Sequence, residues 1–118
     1  MAHKDELGRH GEELAVRHLT AAGLTILDRN WRCRIGELDI VAMDAGETVF
    51  VEVKTRSGAG YGHPFDAITP VKLARIRRLA SAWCEAREHA TRRRRVDAIA
   101  VTAPPGRPAT IEHLRGVS

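Results

Sequence analysis

The sequence predicts an α/β fold in which a mixed β-sheet is flanked by helices. Two segments carry apolar residues at helical spacing, whereas the other segments are short, apolar and rich in β-branched residues. Their order is one helix, three strands, a second helix, a fourth strand and a short last strand or tail, which favours such a sheet. With 118 residues, 43% of them hydrophobic, we expect a single domain spanning residues 1–118.

The first helix is predicted over residues 4–22, with Gly23 as its stop, and the first strand follows at residues 25–32. Gly8 and Gly11 are unfavourable inside a helix, so they predict a close approach of this helix to another backbone or to a ligand. The predicted buried stripe of the helix comprises Leu7, Leu14, Ala15, Leu19 and Ala22.

A β-hairpin is predicted from two strands at residues 38–43 and 48–54. Residues 44–47, with the sequence Asp-Ala-Gly-Glu, are typical of a turn between them. The simplest antiparallel register pairs Met43 with Thr48.

This register brings three charged residues together. Asp39 then faces Glu52, and Lys54 points to the same side as Glu52 because side chains alternate along a strand. A bulge or an odd-length loop would instead move Asp39 to the opposite face. The other side of the ribbon is expected to carry the core, through Val49, Val51 and Val53.

Two opposed carboxylates predict a divalent-metal site. Asp39 and Glu52 would repel each other by roughly 3 kcal/mol at about 5 Å and an effective dielectric of about 20. Mg²⁺ or Mn²⁺ would offset this repulsion, because hard cations bind carboxylate oxygens and keep open positions for water and phosphate. Lys54 would orient or deprotonate the attacking water, or neutralise charge on the phosphate. The alternative is that Glu52 and Lys54 form a surface pair without a catalytic role.

Glu12 is the candidate third carboxylate. It precedes Ala15, Val16 and Leu19 by three, four and seven residues, which places it on or beside the buried face of the first helix. A carboxylate there needs a partner, because burying an unpaired charge is costly. That partner is either the metal or an arginine.

The second helix is predicted to begin at Thr69-Pro70, where Thr caps the helix and Pro takes its first turn. A mobile loop is expected over residues 55–69. Lys72 lies at the start of the helix, where it contacts a phosphate or snorkels to the surface. Beyond the helix we expect a strand at 96–102, a loop at 103–108 and the short last strand or tail at 109–114.

Basic residues are concentrated in residues 71–95. This segment contains nine basic and two acidic residues and so carries +7, whereas the remainder carries −3, for a net charge of +4. A basic surface beside an acidic pocket suits a protein that draws a polyanion toward carboxylates. For the arginine run the alternative is compositional bias, since the chain has 16 Arg and 3 Lys. The predicted nucleic-acid-binding residues are Lys72, Arg56, Arg75, Arg92, Arg93, Arg94 and Arg95.

Several classes of protein are disfavoured by composition. The sequence has no apolar run of transmembrane length and no signal-peptide pattern, so we expect a cytoplasmic protein without membrane partners. Cys33 and Cys84 are too few for a disulfide framework and lack zinc-ligand spacing, so both are expected to be reduced. Aromatic residues make up 4%, which disfavours base stacking as a mode of recognition.

The combined motifs resemble the YraN family of small bacterial proteins, which is grouped with the restriction-endonuclease-like superfamily and resembles archaeal Holliday junction resolvases. The resemblance covers nearly the whole chain. The motifs are GEELA at 11–15, RNWR at 29–32, GELDIVA at 36–42 and VFVEVKTR at 49–56, followed by Gly62-His63-Pro64, Lys72 and Val96-Asp97.

The resemblance implies a restriction-endonuclease-like sheet and a role for each site residue. In that superfamily the Asp of the second strand and the Glu of the Glu-x-Lys strand bind metal, which corresponds to Asp39 and Glu52. The Lys is catalytic, which corresponds to Lys54, and a Glu on the first helix often completes the site, which corresponds to Glu12. Leu38 stands where many of these nucleases have Pro. Resolvases act as symmetric dimers, so the resemblance also implies a homodimer.

The sequence therefore predicts a nuclease-like protein, a Mg²⁺- or Mn²⁺-dependent endodeoxyribonuclease that hydrolyses phosphodiester bonds in DNA, including branched or junction DNA. The alternatives are a non-catalytic nucleic-acid-binding module on the same fold, or a scaffold that recruits a recombination or repair partner. A metal titration separates the first two, because a binding module should bind DNA equally with and without Mg²⁺.

Overall fold

A five-stranded mixed sheet with two helices packed against it forms the fold in the computed structural model, which describes residues 5–58 and 62–117. The mixed α/β architecture predicted from the sequence is thus confirmed. The elements are α1 (Glu6–Ala21), β1 (Thr25–Arg32), β2 (Glu37–Asp44), β3 (Glu47–Arg56), a 3-10 turn (Pro64–Ala67), α2 (Pro70–Ala86), β4 (Arg94–Thr102) and β5 (Thr110–Leu114).

The strands lie in chain order across the sheet. The pairs β1–β2, β2–β3 and β4–β5 are antiparallel, whereas β3 and β4 are parallel and are joined through α2. A parallel pair needs a crossover connection, which a helix usually supplies. The last segment, which sequence left as a strand or a tail, is the edge strand β5.

Both faces of the sheet carry core, which corrects the expectation that one face would be left for chemistry. Val49 and Val51 pack with α1, as predicted, and Val53 lies against the same cluster. On the other face, however, Val41 and Phe50 pack with α2. The charged residues of β3 therefore lie not on an open face but near the end of the strand, beyond these core positions.

The first helix ends at Ala21, one residue before the predicted end, and begins at Glu6, two residues after the predicted start. Asp5 caps it by accepting a hydrogen bond from the Gly8 N–H at 2.7 Å, and Gly23 follows its end with φ of +94°. Residue 4, the predicted start, lies outside the described residues. Gly11 is buried against β3, and a Cβ added there would lie 2.7 Å from the Cβ of Thr55. A close approach is thus found at Gly11, but the neighbour is a side chain and not the backbone or ligand that the sequence predicts.

The β2–β3 hairpin has the predicted register. Ala45 and Gly46 both have positive φ, +49° and +86°, which is the two-residue turn that suits a tight hairpin. Met43 pairs with Thr48, and the ladder continues in this register to its last pair, Ile40 with Val51. No bulge interrupts this ladder between those described pairs.

The second helix begins where the sequence places it. The Thr69 hydroxyl accepts a hydrogen bond from the Lys72 N–H at 3.2 Å, and Pro70 occupies the first turn. The segment before it is only partly a loop, since β3 extends to Arg56 and His63 caps the 3-10 turn. Residues 59–61 of the predicted loop lie outside the described residues.

The structure also bears on the expectations about membrane spans and cysteines. None of the described helices is long and apolar enough to cross a membrane. Both cysteines are free thiols, and Cys84 is buried in the cluster beneath α2. Burial raises the pKa of the Cys84 thiol, which disfavours the reactive thiolate.

Candidate active site

The four residues predicted for the catalytic centre line a single cleft of about 380 Å³. They come from three elements: Glu12 from α1, Asp39 from β2, and Glu52 and Lys54 from β3. The remaining wall of the cleft is formed by Asp5, Leu7, Gly8, Val53 and Thr55.

Asp39 and Glu52 lie one step beyond the last pair of the β2–β3 ladder. The Val53 N–H donates a hydrogen bond to the Asp39 carboxylate at 2.9 Å. If the ladder continued, this N–H would instead bond to a backbone carbonyl of β2. The bond to Asp39 fixes its side chain beside the backbone that carries Glu52. The two carboxylates therefore share a site because the strands separate at this point.

Glu52 lies at the electrostatic centre of the cleft. Its side chain is 13% exposed, and one carboxylate oxygen lies 2.8 Å from Lys72 Nζ and 3.8 Å from Lys54 Nζ. Burial raises the pKa of Glu52, and the negative charge of Asp39 raises it further, against the opposing effect of the two lysines. The carboxylate pair thus carries the repulsion that the sequence predicts, partly relieved by ammonium groups.

Lys54 is perturbed in the direction that suits proton transfer. Burial lowers its pKa, and the hydrogen bond to Lys72 and the charge of that neighbour lower it further, although Glu52 and Asp39 act in the opposite sense. A lysine with a lowered pKa loses its proton more readily than a solvent-exposed one. Lys54 can therefore serve as a proton acceptor or as a cation at a phosphate.

Lys72 belongs to this cluster, which sequence reasoning missed. The sequence left open a phosphate contact or a snorkelling side chain, but the side chain is 19% exposed and paired with Glu52. Burial alone would lower the pKa of Lys72, but the hydrogen bonds to Glu52 and Lys54 and the charges of Glu52 and Asp39 together raise it. No local pattern signals this pair, because it depends on where the crossover places the first turn of α2.

Glu12 is buried, as predicted, with 2% of its surface exposed. Its carboxylate lies 3.9 Å from Nη2 of Arg29, which is closer, at 3.0 Å, to the exposed Glu13. Glu12 therefore faces the acidic cleft while lying at the limit of ion-pair distance from an arginine. Its position is thus compatible with either partner expected from the sequence, a metal in the cleft or an arginine.

The carboxylates of the cleft are the kind of ligand that a hard divalent cation takes, but their positions in this structure do not form a coordination shell. Three carboxylates line the cleft, and carboxylate oxygens are the ligands that Mg²⁺ and Mn²⁺ favour. Within residues 5–58 and 62–117, however, no three acidic, His or Cys side chains converge closely enough to hold an ion. One oxygen of Glu52 is paired with Lys72, so this ammonium neutralises part of the charge that would hold a cation.

Comparison with known proteins places the chain in a family. The model of the Uncharacterised protein family UPF0102 matches residues 11–101, a span that includes Glu12, Asp39, Glu52, Lys54 and Lys72. The chain belongs to this family. This agrees with the resemblance to the YraN family seen in the motifs.

Relatives in the UPF0102 family match over essentially the full length. The UPF0102 protein of Pseudarthrobacter chlorophenolicus is 53% identical over 118 residues, covering 100% of this chain and 89% of the relative. That of Frankia alni is 54% identical over 116 residues, covering 98% and 97%. That of Arthrobacter sp. is 54% identical over 117 residues, covering 99% of each.

Of the predicted nucleic-acid-binding residues in this UPF0102 protein, Lys72 and Arg75 lie at the acidic centre. Both line a smaller pocket of about 200 Å³ that shares Asp39 and Glu52 with the main cleft. Arg56 lies at the end of β3, where its guanidinium donates to the carbonyl of Gly62. Lys72 and Arg75 thus place positive charge beside the carboxylates, whereas Arg56 lines neither of these two pockets.

The arginine run lies at the opposite end of the sheet. Arg94 pairs with Thr48 across β3 and β4, whereas Glu52 is four residues further along β3, about 13 Å away at the rise of a strand. Arg92, Arg93 and Arg94 are exposed. The run therefore does not border the acidic cleft, in contrast to the arrangement expected from charge alone.

The structure gives Arg95 an internal role that differs from the predicted one. Its guanidinium lies within 3.1 Å of carboxylate oxygens of Asp97, Asp44 and Glu47, and 16% of the side chain is exposed. The hydrogen bonds to Asp97 raise the pKa of Arg95, and the other two carboxylates raise it further. Its charge is neutralised inside the fold, which leaves little for a phosphate.

Proposed function

We propose that this UPF0102 protein is a Mg²⁺- or Mn²⁺-dependent endodeoxyribonuclease that hydrolyses phosphodiester bonds in DNA. The observation that carries the proposal is the convergence of Glu12, Asp39, Glu52 and Lys54 on one cleft from three separate elements. A surface ion pair would not explain why a third carboxylate from α1, itself buried, is turned toward the same space.

The topology supports a restriction-endonuclease-like fold as part of this proposal. The candidate metal ligands lie on the second and third strands and on the first helix, in the order that the family resemblance implies. A parallel connection through α2 then brings further cations to the same end of the sheet. Because folds host many functions, the proposal rests on the cleft and not on this topology.

In the proposed reaction, the cations of the cleft first position the substrate. Lys72 and Arg75 would hold the phosphate beside the carboxylates, which requires Lys72 to exchange Glu52 for a phosphate oxygen. Asp39, Glu52 and Glu12 would hold the divalent cation. When bound, that cation would supply the positive charge that stabilises the phosphate as negative charge develops on it.

Lys54 would act on the proton of the attacking water. The water oxygen forms a bond to phosphorus, and the proton from the water passes to the neutral amine of Lys54. The phosphorus bond to the leaving sugar oxygen breaks, and that oxygen takes a proton from solvent. The lowered pKa of Lys54 favours this role. If Lys54 instead stays charged and stabilises the phosphate, the rate should not rise with pH through the titration of this lysine.

The proposed substrate is DNA without a preferred sequence, including branched or junction DNA. Aromatic residues make up 4% of the chain, so stacking on exposed bases would contribute little to binding. Cutting paired strands of a junction calls for two active sites, so a homodimer in the cytoplasm is part of the proposal. Its mass in solution, by light scattering with and without a four-way junction, checks the dimer.

The proposed function is tested by incubating purified protein with labelled four-way junction, flap, single-stranded and duplex DNA in Mg²⁺, Mn²⁺ or EDTA. We expect metal-dependent cutting of at least one substrate. Asp39→Asn should abolish cutting but not binding, whereas Glu13→Gln, next to Glu12 but exposed, should cut as wild type.

The opposite result would favour the second candidate, a non-catalytic nucleic-acid-binding module. Its structural support is the Lys72–Glu52 ion pair, which satisfies the buried carboxylate without a metal. If no substrate is cut in either metal, and wild type and Asp39→Asn bind DNA alike with and without metal, the nuclease proposal is wrong.

A further inference from the structure

A second concave site lies beside the middle of α2, away from the acidic cleft. It has a volume of about 250 Å³, and its polar wall is formed by Arg77 and Ser81 of α2 and by Arg94 and Arg95 of β4. Apolar groups of Phe50, Ala80 and Val96 form its floor. The basic pocket, as we call this site, shares no residue with the acidic cleft.

The helix and the strand bring Arg77, Ser81 and Arg94 together. Arg77 and Ser81 are four residues apart on α2 and so lie on the same side of the helix. Arg94 opens β4, beside the helix, and its Nη1 donates a hydrogen bond to Ser81 Oγ at 3.1 Å. Ser81 therefore anchors one arginine next to the other.

Arg77 and Arg94 of the basic pocket lack counter-charges, in contrast to Arg95. Among the described residues, no carboxylate lies within ion-pair distance of Arg77 or Arg94. Arg95 instead turns its guanidinium to the carboxylates of Asp44, Glu47 and Asp97. Two converging cations without acidic partners, beside a hydroxyl, favour an anion as the missing partner.

The distance from the acidic cleft can be measured along two elements. Ser81 follows Lys72 by nine residues of α2, which is about 13 Å at the rise of a helix. Arg94 pairs with Thr48, four residues before Glu52, which is also about 13 Å at the rise of a strand. This distance is short enough for one nucleic-acid backbone to reach both sites.

We propose that Arg77, Arg94 and Ser81 bind a backbone phosphate of nucleic acid, about 13 Å from the phosphate held at the acidic cleft. This inference rests on the proposed function for the identity of the ligand. The guanidinium groups would bind phosphate oxygens, and the Ser81 hydroxyl would donate a further hydrogen bond. Phe50 is fully buried, so the pocket offers no ring for a base and recognises the backbone alone.

Binding without metal tests this site separately from catalysis. The probes are a fluorescent 20-base-pair duplex and a four-way junction in EDTA, titrated at several salt concentrations. Arg77→Ala and Arg94→Ala should each weaken binding roughly five- to tenfold and lower the salt slope by about 0.9, the value for one lost phosphate contact. The matched control Arg17→Ala removes an exposed arginine from α1 and should leave both quantities unchanged. Ser81→Ala should weaken binding with little change in slope.

The outcomes distinguish the two proposals. If Arg77→Ala and Arg94→Ala bind both probes as Arg17→Ala does, or if the wild type binds neither probe, the phosphate site is wrong. Cutting that survives in these variants with unchanged binding would remove the site and leave the nuclease proposal standing. Weakened binding in both variants, with no cutting by the wild type in any metal, would support the site and contradict the nuclease.

Discussion

The ammonium of Lys72 lies 2.8 Å from a carboxylate oxygen of Glu52, across the space between α2 and β3. Lys72 is the third residue of its helix, and Glu52 is the first of three charged residues at the end of its strand. The ammonium occupies one lone pair of this oxygen and neutralises part of the negative charge that would attract a cation. Lys72 and a divalent metal therefore compete for Glu52.

Replacing Lys72 should thus strengthen metal binding in the absence of DNA. Lys72→Met keeps the length of the side chain but frees the Glu52 oxygen, so we expect tighter binding of Mn²⁺, measured by electron paramagnetic resonance titration. Arg75→Met, which removes a cation from the same pocket, is the control and should change Mn²⁺ affinity less. Equal Mn²⁺ affinity in wild type and Lys72→Met would contradict the competition.

Gly11 should not tolerate a methyl group. In an open helix Gly→Ala would stabilise by about 1 kcal/mol, but here the new Cβ would lie 2.7 Å from the Cβ of Thr55. Overpacking of this kind costs about 1–3 kcal/mol, so we expect Gly11→Ala to lower the free energy of unfolding in urea. In the Thr55→Gly background, Gly11→Ala should no longer lower the free energy of unfolding. If it lowers this free energy by the same amount there, the clash lies elsewhere.

Asp97 should be among the most important polar residues for stability. It is fully buried and accepts hydrogen bonds from Arg95, His113 and the Gly116 N–H at 2.8–3.1 Å. Asp97→Ala leaves a buried guanidinium with fewer partners, which should cost about 3 kcal/mol or more in urea unfolding. The control Glu112→Ala, whose exposed carboxylate pairs with His63, should cost about 1 kcal/mol or less. Similar losses in the two variants would contradict this difference.

Stability should fall in mild acid because of His18. Burial lowers its pKa, and the charges of His113 and Arg115 lower it further. As pH drops below about 6.5, the unfolded chain takes up the proton at His18 before the folded chain does, so the free energy of unfolding falls. His18→Asn should reduce the loss of thermal stability between about pH 7 and 5.5, whereas His10→Asn, exposed on the same helix, should not. A full loss in His18→Asn would assign the pH dependence to another group.

The parts of the fold that depend on local chemistry could be predicted from the sequence. The turn at residues 44–47 accommodates a two-residue loop, so the pairing of Met43 with Thr48 followed from it and brought Asp39 and Glu52 to one cleft. Thr69-Pro70 likewise marks the start of α2, because a hydroxyl cap and a fixed φ are local requirements.

The parts that depend on distant segments could not be predicted in this way. Lys72 meets Glu52 only because α2 crosses over between parallel strands, and twenty residues separate the two along the chain. Arg95 belongs to a basic run in the sequence, but its partners include Asp44 and Glu47, which lie about fifty residues earlier in the chain. Charge counts along a chain carry no information about such partners.

Single-turnover cleavage of a labelled four-way junction in Mg²⁺ tests the catalytic centre most directly. We expect cutting by the wild type and by Glu13→Gln, no cutting in EDTA, and rates lower by about 100-fold or more for Lys54→Ala and Glu12→Gln. Folding of each variant is checked by urea unfolding. No Mg²⁺- or Mn²⁺-dependent cutting by the wild type, or cutting that survives in both folded variants, would contradict the assignment of this cleft as a nuclease active site.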